Sequence, residues 1–399
     1  MTGTASRPAA ATAIPLVAVL VAAVNLRPAV TGVSPLFERI GVDLGLSTSA
    51  LGLLATLPVI CFGVFALAGT VLAQRFGEGP VTTGCMLVLA VSLLLRAAGP
   101  VWTLFAGTVA VGLAIGVANV VLPALIKRRF ADRIPVVTAL YTMLITCGAA
   151  LGSGLAVPIS DATGSPWRVP LALLAVPAAL AFVACLPVVR DGPPPRPSVA
   201  AARPWRDRLA WAVTAMMGIQ SLLAYVVFSW LPTIGADRGL SEAAAGALLS
   251  FSSVVQAAGS IGLPLLLRRL RDQRPAIVAV AAFTAAGLAG VTFAPVGGIW
   301  VWSAVLGVGQ GAAFGLALTL IGLRSADAAG AAQLSGMAQC AGYVIAAVGP
   351  VGVGVMYDVT GAWTVPVVFL LGCCVLLATV CLPAGRDQVV GGRSAGGSG

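Results

Sequence analysis

Twelve long apolar runs, separated by glycine, proline and charge, leave this chain little choice but to fold inside a lipid bilayer. They fall at about 14–34, 49–74, 81–98, 101–126, 136–160 and 167–189, then at about 209–233, 243–267, 275–294, 298–323, 332–357 and 363–384. Each run is long enough to cross ~30 Å of hydrocarbon as a helix. Composition agrees: 59% of the residues are hydrophobic, 9% are charged and the mean hydropathy is +1.02, whereas a soluble domain carries about a quarter charged residues. The expectation is an all-α integral membrane protein with twelve transmembrane helices. The polar stretch 1–12 is short, and no small-residue cleavage site follows a brief apolar core. The first run is therefore expected to stay as a span rather than leave as a signal peptide.

The runs divide six and six around residues 190–208, a segment with Pro193-Pro194-Pro195 and five arginines. It is too polar to insert and too proline-rich to continue a helix, so it reads as a cytoplasmic linker. The expected organisation is a first six-helix bundle at 1–189, the linker, a second bundle at 209–385 and a disordered Gly/Ser-rich tail at 386–399. Of the 23 lysines and arginines, Arg27 lies within a run, Arg39, Arg96, Arg168 and Arg238 fall on one side, and the other 18 fall on the opposite side. The positive-inside bias then places both termini in the cytoplasm, in a multi-pass protein of the cytoplasmic membrane. A net charge of +10 suggests nucleic acid in a soluble protein. Here the charge sits in short loops, so the expected partners are lipid and a small solute, with no nucleic acid and a monomeric chain.

The two halves repeat each other. Asp43-Leu-Gly-Leu-Ser47 recurs as Asp237-Arg-Gly-Leu-Ser241, 194 residues on, with Ser47 and Ser241 placed as helix N-caps. Asp161-Ala-Thr-Gly-Ser-Pro-Trp167-Arg-Val-Pro170 recurs as Asp358-Val-Thr-Gly-Ala-Trp363-Thr-Val-Pro366, and Gly112-x3-Gly116 matches Gly307-x3-Gly311. Two six-helix repeats about an axis along the membrane normal is the major facilitator arrangement, with its substrate site at the midplane between halves.

Within that frame Asn25-Leu26-Arg27-Pro28 stands out. Arg27 is the one charge placed well inside a run. An arginine at membrane depth costs at least ~2.5–3.5 kcal/mol, so it normally faces a cavity, a partner or a ligand. Pro28 removes a backbone donor beside it and invites a kink. The thirteen Asp and Glu residues all read as loop or helix-end residues, and histidine is absent, so no titratable relay partners the arginine. A fixed, unneutralised positive charge favours an anionic or electron-rich ligand; the bland reading is an arginine bonded to helix carbonyls or snorkelling outward. Mid-span polar residues complete the candidate cavity: Asn25, Asn119, Gln220 and Gln310, with Tyr225 and Tyr343 able to stack a flat ligand. Each amide taken singly is as well explained as a helix–helix tie. The eight cysteines lie in apolar runs without metal-ligand spacing and read as buried packing residues. Trp102, Trp167, Trp230, Trp300 and Trp302 read as a belt at one membrane face. No metal or other cofactor is expected, and no nucleophile–base constellation points to an enzyme.

Several segments resemble the cyanate and nitroimidazole permeases of the major facilitator superfamily. They are Asn25-Leu-Arg-Pro-Ala-Val-Thr-Gly-Val-Ser-Pro35, Asn119-Val-Val-Leu-Pro-Ala-Leu-Ile-Lys127, Gly218-Ile-Gln-Ser-Leu-Leu-Ala-Tyr225, Gly309-Gln-Gly-Ala-Ala-Phe-Gly315 and Gln339-Cys-Ala-Gly-Tyr343. The resemblance implies a secondary transporter moving a small polar or anionic solute across the inner membrane by alternating access; the competing expectation is a drug or metabolite efflux pump. One departure from the pattern that the resemblance to the wider superfamily implies stands in the loop after the second run, where Gln74 takes the acidic place and Glu78 a usual basic one.

Overall fold

The computed structural model describes residues 9–130, 133–190, 204–267, 272–325 and 328–390, and among these every regular element is a helix. The first span is segmented into α1 (Ala9–Asn25), α2 (Pro28–Thr31), a 3-10 turn at Ser34–Leu36 and α3 (Phe37–Leu44). Then follow α4 (Thr48–Phe76), α5 (Glu78–Ala97), α6 (Val101–Arg129) and α7 (Ile134–Thr163). The pair α8 (Arg168–Leu173) and α9 (Ala175–Cys185) completes the first six spans. The second six are α10 (Arg208–Asp237), α11 (Glu242–Leu267), α12 (Arg274–Phe293), α13 (Ile299–Leu323), α14 (Ala328–Thr360) and α15 (Thr364–Val380). Eleven of these spans are long and apolar enough to cross a membrane, and α15 is a shorter apolar helix. Twelve helical spans are thus present as expected. Of the expected linker, 191–203 lie outside the described residues, as do Arg268, Arg269, Arg271 and 391–399.

The internal repeat reappears as matched chemistry. Gly45 and Gly239 both take positive φ, 62° and 93°, and the next residue in each turn reaches back: Leu46 N–H to Gly41 O at 3.0 Å, Leu240 N–H to Gly235 O at 3.1 Å. Both helices therefore end in the same left-handed cap. Ser47 and Ser241 then cap α4 and α11, accepting from Ala50 N–H and Ala244 N–H, each at 3.2 Å. Trp167 donates its indole N–H to Asp43 at 2.8 Å and Trp363 does the same to Asp237 at 2.7 Å. The aromatic belt is accordingly corrected. Trp167 and Trp230 are 0% and 1% exposed, and the N–H of each has a protein partner: exposed Asp43 for Trp167 and Pro350 O, at 3.0 Å, for Trp230. Trp102 and Trp300 do remain exposed.

The opposite ends of the bundles match as well. Glu78 is buried and ion-paired to Arg128 at 2.8 Å, which gives the acidic residue after the second run a structural partner. At the corresponding place of the second bundle, Gln273 accepts from Arg324, whose Nε also donates to Ala384 O at 2.7 Å. Val390 N–H donates to Arg324 O at 2.9 Å, so packing continues to 390 rather than stopping at 385. All eight cysteines are free thiols; Cys147 is exposed, contrary to the packing role expected of it.

The bundles meet where α4 crosses α14 and α7 crosses α11. A Cβ on Gly52 would lie 2.8 Å from Pro350 O, and one on Gly246 2.9 Å from Ser153 O. The proline in α14 leaves its neighbours to bond outside the helix, and Val351 N–H donates across the interface to Thr56 Oγ1 at 3.0 Å. The end bearing Ser47 and Ser241 carries two further clasps. Arg39 bridges Asp161 at 2.8 Å and donates through Nε to Glu242 of the other bundle at 2.6 Å. Asp358, at the end of α14, accepts from Ser49 N–H at the start of α4 at 2.6 Å. Partly exposed pairs of this kind are each worth ~0.2–1 kcal/mol, enough together to bias two conformations but not to hold the fold. The double substitution Glu242→Gln, Asp358→Asn is expected to raise hydrogen exchange in residues 48–54 and 242–250 several-fold, roughly, with little change in melting temperature.

Candidate functional site

The break after α1 builds the site. Proline lacks the N–H that Val24 O would accept and clashes with that carbonyl. α1 therefore stops at Asn25, and Val30 and Thr31 restart the ladder on Arg27 O at 2.9 and 3.0 Å. The released Val24 O is pressed onto α7, where a Cβ on Gly148 would lie only 2.2 Å from it. Arg27 occupies the gap between the helices as the N-cap residue of α2, with φ −115° and ψ −34°. Its side chain is consequently turned across to the second bundle.

There Nη1 of Arg27 donates to the Tyr225 hydroxyl at 2.7 Å, and the guanidinium carbon lies 5.6 Å from the Tyr225 ring centre. Tyr343 and Tyr141 lie within electrostatic reach of the same charge. Tyr343 packs on the Tyr225 ring with centres 6.2 Å apart, so tyrosines of α10 and α14 share the wall beside the arginine. Phe62 completes the wall, with ring centres 6.1 Å from Tyr225 and 5.8 Å from Tyr343. Among the described residues no carboxylate is paired with Arg27. A hydrogen bond to a charged group contributes about 1.5–3 kcal/mol and a cation–π contact ~0.5–2 kcal/mol. Both stabilise the guanidinium, and neither neutralises it. An anion or an electron-rich ring entering here meets a full positive charge in a low-dielectric setting.

The amide residues fare unequally. Asn119 Nδ2 in α6 is buried without a partner, the state of a donor with spare capacity. Asn25 is turned away from Arg27: its Nδ2 donates to Val21 O at 2.9 Å and Pro177 O at 3.2 Å, tying α1 to α9. Gln220 is spent locally, donating to Met217 O at 3.2 Å and Ser221 Oγ at 2.8 Å. Gln310 Nε2 donates to Leu223 O and its Oε1 accepts from Gln256, both at 3.1 Å, joining α10, α11 and α13. All three amides are bonded within the protein here, and the reason is common. A buried amide without a ligand takes a nearby backbone carbonyl, because leaving it unpaired costs about 1–3 kcal/mol. Tyr141 was missed by sequence reasoning; the signal was the scarcity of tyrosine together with its place inside the fifth run. Tyr225→Phe, which keeps the ring and deletes the 2.7 Å bond, is expected to weaken ligand binding roughly tenfold. Gln310→Ala should instead lower thermal stability and leave affinity unchanged, as ligand titration and melting curves can separate.

Residues 19–350 match the Major Facilitator Superfamily family model. The chain is 37% identical to the 2-nitroimidazole transporter of Escherichia coli (strain K12), an alignment covering 93% of this chain and 95% of the relative. It is 30% identical to the cyanate transport protein CynX of the same organism, covering 92% and 96%. The fold is similar to the crystal structure of a bacterial homologue of the human lysosomal transporter Spinster in an inward-facing, occupied conformation, with a TM-score of 0.78 at 15% identity over 96% of this chain and 98% of that one. Helix order, internal repeat and family match agree, and the chain belongs to the major facilitator superfamily.

Proposed function

We propose that this transporter moves a small anionic or electron-rich solute, cyanate-like or nitroimidazole-like, by alternating access of the two bundles about the Arg27 site. The observation that carries the reading is the uncompensated guanidinium between the bundles, bonded only to a tyrosine hydroxyl among the described side chains. Intramembrane charges of this kind mark solute pathways by default. Tyr225 and Tyr343 supply flat faces beside the charge, suited to a planar ring, and Asn119 supplies a spare donor. The solutes for which the two relatives are named, 2-nitroimidazole and cyanate, share small size and electron-rich atoms. The clasps and glycine crossings provide the parting surface such a cycle requires. In the same reading the units are the bundles 1–189 and 209–385, with 386–390 packed onto the second, and the chain works as a monomer in the cytoplasmic membrane with both termini inside.

Purified protein in proteoliposomes tests this directly. Saturable flux of labelled cyanate or 2-nitroimidazole is the expected result, and each solute should compete with the other. Absence of flux with both, in protein that remains folded, removes the proposed solute class.

A further inference from the structure

A second guanidinium in the same bundle interface is left with spare donors. Arg96, the penultimate residue of α5, is 1% exposed. Its Nη1 donates to Ala29 O at 2.7 Å, while Nε and Nη2 are buried with no partner. It forms no ion pair with any described residue. A Cβ on Gly107 would come within 2.7 Å of the Arg96 backbone, so close packing of α6 holds the side chain's root in place. Arg96 lines a cavity of about 10 Å³ with Ser34, Pro58, Thr108 and Ser229, space for a single water-sized guest. The three hydroxyls donate to backbone carbonyls: Ser34 to Phe228 O at 2.6 Å, Thr108 to Leu104 O and Ser229 to Tyr225 O, both at 2.7 Å. The unspent donors at this cavity therefore belong to Arg96.

The place matters as much as the chemistry. Ala29 follows Arg27 by two residues, and Ser229 follows Tyr225 by one helical turn, ~6 Å along the axis. The cavity thus lies one step from the Arg27–Tyr225 contact toward the clasped end. A buried arginine that served only to tie α5 to Ala29 O would leave two charged donors unpartnered within a low-dielectric interior, which is unfavourable. A solute path, by contrast, gains from a second weak site. Conduction of an anion needs binding strong enough to draw it in and divided enough to let it go.

We propose that Arg96 is a second anion station, in series with Arg27, which takes a small monovalent anion as the clasped end opens. This rests on the reading of the chain as an anion transporter. The test uses the full-length protein and two probes. Cyanate flux is measured in proteoliposomes, and bromide is titrated against purified protein by thermal shift. Arg96→Met is expected to cut cyanate flux roughly tenfold or more while cyanate affinity stays within about twofold. It should also abolish a bromide stabilisation that survives in Arg27→Ala. Arg96→Lys, which restores charge without the fork, should recover part of the flux. Wild-type flux in Arg96→Met, or an unchanged bromide response, overturns the proposal. So does loss of both affinity and flux that Arg96→Lys does not relieve, which marks a structural tie to Ala29. Should the unmodified protein carry no cyanate, the transport reading fails, and the bromide titration still decides the station by itself.

Discussion

Arg27→Ala is expected to weaken binding of cyanate and 2-nitroimidazole roughly ten- to a hundredfold while the protein inserts and purifies as before. The lost interaction is a charge-assisted contact of about 1.5–3 kcal/mol, or roughly one to two orders of magnitude in affinity. The sign of the stability change separates this from a structural arginine. A guanidinium locked in an ion pair stabilises its fold, and removing it strands the partner charge. Arg27 leaves behind only the Tyr225 hydroxyl, and its removal relieves an insertion cost of ~2.5–3.5 kcal/mol. Melting temperature should therefore hold or rise as affinity falls. Arg27→Lys is expected to keep part of the affinity, since the charge remains and the planar fork does not. Normal affinity in Arg27→Ala, measured by titration, excludes the site.

Gly311→Ala is expected to produce the largest loss of stability from a single added methyl group. Its Cβ would sit 1.9 Å from the Gln256 backbone oxygen, an atom that cannot swing aside as a side-chain tip can. α11 and α13 must then separate, and the Gln256–Gln310 bond at 3.1 Å parts with them. Overpacking of this kind costs ~1–3 kcal/mol or more, which should lower the melting temperature by roughly 5 °C or more. The corresponding glycine of the first bundle provides an internal scale. A Cβ on Gly116 would lie 2.9 Å from Cys61 O, so Gly116→Ala should be milder. The reverse order, read from melting curves of the two variants, contradicts the packing described.

Much of the fold was legible in the chain because a bilayer makes it so. A backbone in hydrocarbon must satisfy its own hydrogen bonds, so an apolar run of sufficient length has one outcome. The repeat was equally readable, since Asp43 to Ser47 and Asp237 to Ser241 spell the same turn. Its left-handed glycines and serine caps are local events, decided within a few residues. Arg27 was legible for a related reason: the cost of a lone charge at depth does not depend on its neighbours' positions.

What the chain could not declare by itself was which polar groups would find one another. Asn25, Gln220 and Gln310 look like ligand donors as residue types, yet each is satisfied by a carbonyl or side chain that only the packed helices place within reach. Tyr225 and Tyr343 are 118 positions apart and meet beside Arg27 only after α10 and α14 pack together. Arg96 reads from sequence as an ordinary basic residue at a helix end, and packing of α6 over its backbone turns it into a buried charge with donors to spare. Periodicity, breaks and lone charges follow from the free energy of a residue against its solvent, which local sequence carries. Pairing depends on distance between helices remote in the chain, and that distance is set by the tertiary packing of glycine against backbone.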